Sequence, residues 1–206
     1  MISQDRIISS EDLRWRTLQM LFPNLSALNQ VVENTDWHNE DVLTHTRKVI
    51  IELENVIPSW PILEKQIGRY TRANLLLIAG AFHDVGKKQT LHYENGKTSC
   101  PGHEELGARM AESDLDILGL SSGEESGVLN LIRHHGEIHK ITKPINPDWI
   151  RQYQELSFKC PILELTFLGY ADTKASRLAE TRQSDYQMRI ARYEEIFNEL
   201  KGGEEK

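Results

Sequence analysis

The stretch ANLLLIAGAFHDVGK, Ala73 to Lys87, is apolar on nearly every side for ten residues and then ends in an ionisable pair, His83-Asp84. A helix that is apolar all round is a central, buried one, and Gly86 marks its end. An imidazole and a carboxylate at the end of a buried segment must be paired, hydrogen-bonded or bound to a cation. Neighbouring helical side chains diverge by about 100°, so such a pair spans two sides of an ion. Taken alone, a capping aspartate beside a satisfied core histidine explains the pair equally well.

The segments on either side also read as helices. From Asp41 to Val56, the residues Val42, Val49, Leu53 and Val56 fall on one helical face before Pro58 and Pro61 break the chain. An earlier helix is expected from near Ser10 to Phe22, stopped by Pro23. Thr90 to Thr98 reads as a loop turning at Asn95-Gly96, and Pro101 suits the first turn of a helix running toward Glu112. Ser122 with Glu125 has the spacing of a capping box for a helix through His134. Pro144 breaks the chain again, and Asn146-Pro147 suits the cap and first turn of a short helix. The last helices are expected from about Pro161 to Glu180 and from about Ser184 to Leu200, with a frayed tail beyond. Strand-type alternation is scarce and no internal repeat is visible. The expected fold class is therefore all-α, with the 206 residues forming one domain, 1–206.

Composition narrows the function classes. Lys and Arg number 24 against 31 Asp and Glu, a net charge of −7, and no basic stripe interrupts the balance. Long nucleic acid is therefore not an expected partner. A small phosphorylated ligand is compatible, because bound cations supply positive charge locally. Cys100 and Cys160 form neither a C-x-x-C pair nor a disulfide framework, and read as ordinary small residues of a reducing compartment. The first residues have no basic, then apolar, leader pattern, and no stretch approaches 18 uncharged apolar residues. The expectation is a cytoplasmic protein without a membrane span.

Several of the eight histidines sit where packing alone would not put them. His45 shares the inward face of Val42, Val49 and Leu53. Asp172 shares one with Leu165, Leu168 and Gly169, where a lone carboxylate would need a metal or a histidine. His134 and His135 close a helix of apolar stamp, and His103 opens its own helix beside Glu104. Each signal is weak singly, since one inward histidine is more often a satisfied core residue. Together they form a nitrogen and oxygen donor set that suits a five-coordinate or octahedral transition metal, unlike a Cys-rich structural zinc site. His38, His92 and His139 fit no pattern and are read as surface or rim residues. Arg133, Lys174 and Arg177 lie near these positions and are read first as solvated helix surface.

The order His45 … His83-Asp84 … Asp172 resembles the H…HD…D signature of the HD-domain superfamily, and HDVGK (His83 to Lys87) is similar to its HDIGK form. Pro101-Gly102-His103-Glu104 and Ile132-Arg133-His134-His135 resemble the extra-histidine elements of its binuclear members. The resemblance covers roughly residues 38–180. Its closest local likeness is to HD domains attached to bacterial CCA-adding enzymes and to stand-alone relatives; with no nucleotidyltransferase head in front, CCA addition is not expected.

The resemblance implies an HD-domain helical bundle and a metal-dependent phosphohydrolase. Its substrate would be a small phosphomonoester or phosphodiester of the nucleotide kind. His45, His83, Asp84 and Asp172 would hold one divalent ion (Mn, Fe, Co, Ni, Mg or Zn). Asp84 would bridge to a second, held by His103 and by His134, His135 or both. Asp84 and Lys87 would be the catalytic pair, with Lys87 holding a phosphate oxygen or orienting Asp84. Two ions about 3.5–4 Å apart share a hydroxide and bring its pKa toward neutrality. A di-iron oxygenase on the same fold, and a non-catalytic metal- or nucleotide-binding domain, are the rival classes.

Overall fold

The structure, a computed structural model, describes residues 21–204. The helix expected from Ser10 therefore lies outside the described residues, apart from its last two positions. Pro23 does not simply end a helix but opens a short one, α1 (Pro23–Ser26), because a missing N–H costs nothing in a first turn. A 3-10 turn, Ala27–Gln30, leads into a strap over residues 31–41 whose two ends pair at Val32 and Asp41.

Helix α2 (Val42–Val56) begins as the sequence predicts. Asp41 is extended, and its carboxylate accepts the Thr44 N–H at 2.9 Å. Two 3-10 turns carry Pro58 and Pro61, and a two-residue hairpin, β1 (Gln66–Ile67) and β2 (Tyr70–Thr71), follows. Thr71 then caps α3 (Arg72–Phe82) by accepting the Asn74 N–H. Every α3 residue from Ala73 to Phe82 is buried. The helix packs against α2 and against two later helices, α6 (Ser122–Ile141) and α8 (Ile162–Ala175). Gly80 allows the close crossing: a Cβ there would lie 2.8 Å from Leu53 Cδ1 and 3.1 Å from Ile50 Cδ1. His83 to Gly86 form the turn after α3, and α4 (Lys87–Thr90) follows.

The segment expected to be a loop is a hairpin, β3 (His92–Glu94) and β4 (Lys97–Ser99). Asn95 and Gly96 both have positive φ, 50° and 78°, the geometry that a two-residue hairpin turn requires. Three-residue strands are too short for alternation to show in the sequence. Helix α5 (His103–Leu115) starts two residues later than Pro101 suggests, because Gly102 takes φ 74° and turns the chain into it. It packs along α6. The capping box of α6 is Ser121 with Glu124, one residue before the expected pair. Glu124 also accepts the backbone N–H groups of Arg69 and Tyr70, which ties the first hairpin to this helix end.

Helix α6 runs on to Ile141, well past His134. Asn146 accepts the Asp148 N–H in a side-chain turn, so α7 (Trp149–Ser157) starts after Pro147 rather than at it. The helix expected through Glu180 is two: α8 ends at Ala175, Ser176 is extended, and α9 (Leu178–Thr181) follows. The last helix, α10 (Gln183–Glu204), continues beyond Leu200. Among the described residues the fold is all-α apart from the two small hairpins. No helix among the described residues is long and apolar enough to cross a membrane.

Candidate metal centre

The buried core ends against a polar cluster built from five places in the chain. His45 comes from the first turn of α2, His83 and Asp84 from the turn after α3, and His103 from the start of α5. His135 comes from α6 and Asp172 from α8. Asp84 lies in the middle, and its two oxygens face different partners. Oδ2 lies 3.2 Å from His83 Nε2 and 4.0 Å from His45 Nε2. Oδ1 lies 3.4 Å from His103 Nε2 and 3.6 Å from His135 Nε2. On the His45 side, Asp172 Oδ1 comes within 2.8 Å of His45 Nε2.

The backbone fixes three of the imidazoles. His83 Nδ1 donates to the Gly80 carbonyl (2.8 Å), His103 Nδ1 to Cys100 (2.7 Å) and His135 Nδ1 to Ile132 (2.7 Å). A nitrogen facing a carbonyl must carry the proton, so in each neutral ring Nε2 keeps its lone pair and presents it to the cluster. His103 Nε2 and His135 Nε2 then face each other at 3.2 Å, an approach that needs a proton or a cation between them. His45 Nε2, His83 Nε2, Asp84 Oδ2 and Asp172 Oδ1 are buried close together, with ion-pair approaches among themselves and from Lys87 but no well-directed hydrogen bond. Imidazole nitrogens and carboxylate oxygens converging in a buried place form a donor set that a cation would satisfy. Donor atoms of His45, His83 and Asp84 lie within 4.8 Å of one another, as do those of Asp84, His103 and His135. The residues fit a divalent ion, or two.

Burial and charge oppose each other throughout. Burial alone would raise the Asp84 pKa, yet His83 and Lys87 hold it well below the ordinary carboxylate value. Asp172 is likewise held down against burial, chiefly by His139 and His45. Burial would lower the His83 imidazole, but the Asp84 carboxylate outweighs it and the pKa rises. Lys87 is buried between two carboxylates, 2.9 Å from Asp84 Oδ2 and 2.7 Å from Glu33 Oε2. Those charges overcome desolvation and keep its ammonium protonated.

Of the residues singled out in the sequence, His134 does not join the cluster. Its Nδ1 is engaged by Glu137 at 2.8 Å. Adjacent helical positions diverge, so the doublet cannot present both rings to one point. Arg133, Lys174 and Arg177 pair with Glu105, Glu52 and Glu180 instead of facing the cluster.

Three residues that the sequence reading passed over do belong here. Glu33 anchors Lys87. His139, read as rim, contacts Asp172 Oδ2 through Nε2 at 2.7 Å. His38, read as surface or rim, is only 7% exposed and its ring centroid lies 4.1 Å from that of His45. The signal for His139 was present: it follows His135 by four residues, one helical turn on the same face. Ending α6 at His134 concealed it. His92 is exposed, as expected. A cavity of about 290 Å³ opens over the cluster, lined in part by Trp37, Asp84, Lys87, Cys100 and His139.

The family model described as HD domain matches residues 42–192, most of the chain and every residue of the cluster from His45 to Asp172. The chain is an HD-domain protein. No curated protein matches it. HD domains are typically metal-dependent phosphohydrolases that bind divalent ions, which agrees with the donor set found here. The strap that carries Glu33, Trp37 and His38 lies N-terminal to the matched HD segment.

Proposed function

We propose that this HD domain is a phosphohydrolase that uses one or two divalent ions to cleave a phosphomonoester or phosphodiester of a nucleotide or a similar small molecule. The observation that carries the reading is the division of Asp84. One oxygen faces the His45 and His83 nitrogens and the other faces those of His103 and His135. His45, His83, Asp84 and Asp172 would hold the first ion; Asp84, His103 and His135 would hold the second. When bound, such ions neutralise charge on phosphoryl oxygens and lower the pKa of a water ligand toward neutrality.

The protein's own part is preorganisation. Backbone carbonyls hold three rings in the tautomer that leaves Nε2 unprotonated. Lys87, itself anchored by Glu33, fixes the orientation of Asp84 and keeps it ionised. With two carboxylates on its ammonium, Lys87 supports the orienting role over that of a phosphate grip. A cavity of about 290 Å³ is at the small end for ligand sites, which supports a compact substrate. Cys100 lines it, but burial raises its thiol to about 11, so at neutral pH it is not a thiolate nucleophile.

The test is a screen of nucleotides, cyclic phosphodiesters and an aryl phosphate against the metal-stripped protein, with and without each divalent ion. Phosphate-ester cleavage is expected only with added ion, and is expected to vanish in His83→Ala. Turnover that persists without metal would overturn the mechanism. Oxygen uptake with ferrous iron and no ester cleavage would replace hydrolysis with oxidation.

A further inference from the structure

We propose that His38 is an additional ligand of the ion held by His45 and Asp172, supplied by the strap that precedes the HD segment. The inference rests on the metal-centre reading above. Three observations support it. A ring nitrogen of His38 lies within 4.8 Å of ligand atoms of both His45 and Asp172. The residue is 7% exposed, and its Nδ1 is buried with no hydrogen-bond partner. Among the described residues no carboxylate forms an ion pair with it, in contrast to His45, His83, His103, His135 and His139.

A buried imidazole with an unsatisfied nitrogen costs stability, so its position must be imposed from outside the ring. The strap shows how. Thr35 Oγ1 accepts the N–H groups of Trp37 and His38, and the Thr35 N–H returns to the His38 carbonyl at 2.7 Å. The Arg177 N–H donates to the Trp37 carbonyl at 2.8 Å, and Thr181 Oγ1 donates to that of Asp36 at 2.6 Å. On the other side Asn34 grips the β3–β4 hairpin: its side-chain amide donates to the Gly96 carbonyl and its backbone N–H donates to Thr98 Oγ1. The segment is thus tied to α9 and to the hairpin at once. It holds His38 rigidly beside His45 and not in solvent. With His38 the first site has three imidazoles and two carboxylates, a set for a five- or six-coordinate transition metal and a poor one for Mg²⁺.

The experiment titrates Co²⁺ into the metal-stripped full-length protein and follows the visible absorption of the bound ion. The wild type is compared with His38→Ala, His38→Gln and the exposed control His92→Ala. The expected result is a loss of at least about tenfold in affinity for one ion in both His38 variants. An altered Co²⁺ spectrum should accompany it, and free imidazole should restore that spectrum in His38→Ala. His92→Ala should match the wild type. Unchanged affinity and spectrum in both His38 variants would overturn the proposal while leaving the metal centre intact. Absence of Co²⁺ binding by the wild type would instead bring down the metal-centre reading itself. Should the variants misfold by circular dichroism, proton NMR of the Co²⁺-loaded wild type decides. One more strongly shifted imidazole N–H than His45, His83, His103 and His135 supply supports the ligand, and no extra signal refutes it.

Discussion

At the scale of single residues, Lys87 shows how a buried charge is made tolerable. Its ammonium sits between Asp84 and Glu33, and each pairing offsets part of the desolvation of the others. Removing the central charge leaves two buried carboxylates facing each other. Removing Glu33 leaves a one-to-one pair. The metal-free Lys87→Met protein should therefore lose about 3–5 kcal/mol of stability, and Glu33→Gln clearly less. Urea unfolding at neutral pH gives the order, and equal losses would contradict this account. The histidines are individually opposed. Asp84 raises His83 and His103 against burial, while burial lowers His38 and His135. A raised imidazole loses its stabilising contribution as pH rises through its folded pKa, whereas a lowered one loses it as pH falls below about 6.5. The two kinds act on opposite sides of that value, so their contributions together are greatest near it. Asp84 and Asp172 act in one direction, since both are depressed. Their contribution is complete above the unfolded value of about 4 and is lost as pH falls through the lower folded values. The melting temperature of the metal-free protein should be highest near pH 6.5 (about the unperturbed histidine value), fall as pH rises through the raised imidazoles, and fall further on the acid side. A melting temperature that climbs steadily from pH 6 to 8 (a span about the unperturbed histidine value) would contradict the raised imidazoles.

At the scale of elements, the site depends on how closely the turn after α3 approaches α5. A Cβ on Gly86 would lie 2.2 Å from the His103 carbonyl oxygen and 2.7 Å from the Gly107 nitrogen, both backbone atoms that cannot swing aside. Gly86→Ala must therefore push the start of α5 outward and carry His103 with it. The expected outcome is a protein that still binds one ion per chain by elemental analysis but loses the second. Full retention of two ions would refute the packing argument. The far end of α6 offers a contrast. Ser121 caps the helix, and Glu124 closes the box while also holding Arg69 and Tyr70. Ser121→Ala should cost about 1 kcal/mol without changing metal content, because this cap lies three turns and more from His135.

At the scale of the whole molecule, five separate chain segments end in one polar cluster under a shared core. On the two-ion reading, the first ion would tie α2, the end of α3 and α8, and the second would tie the end of α3 to α5 and α6. Any ligand of the folded state alone stabilises it by mass action, about 2.7 kcal/mol at one hundred times its dissociation constant. For a chain of this length that corresponds to a rise of roughly 5–10 °C in melting temperature. Added Mn²⁺ or Co²⁺ should produce such a rise, EDTA should reverse it, and Asp84→Ala should abolish it. Thermal shift measurements check all three.

The all-α class, the central position of Ala73 to Phe82 and the inward faces of His45 and Asp172 were legible in the sequence. Helical periodicity and the cost of burying charge are local properties, written in the spacing of residues. Boundaries were less so. The start of α5 turned on a positive φ at Gly102, and the end of α8 on one extended residue, Ser176. The choice between His134 and His135 depended on how far α6 is rotated against its neighbours. Glu33 and His38 reach Lys87 and His45 only because the strap is bound to α9 and the hairpin, and no local pattern encodes a contact made across the chain. Residue chemistry was readable one segment at a time; which atoms meet was decided by packing, because proximity between distant segments exists only once the core has closed.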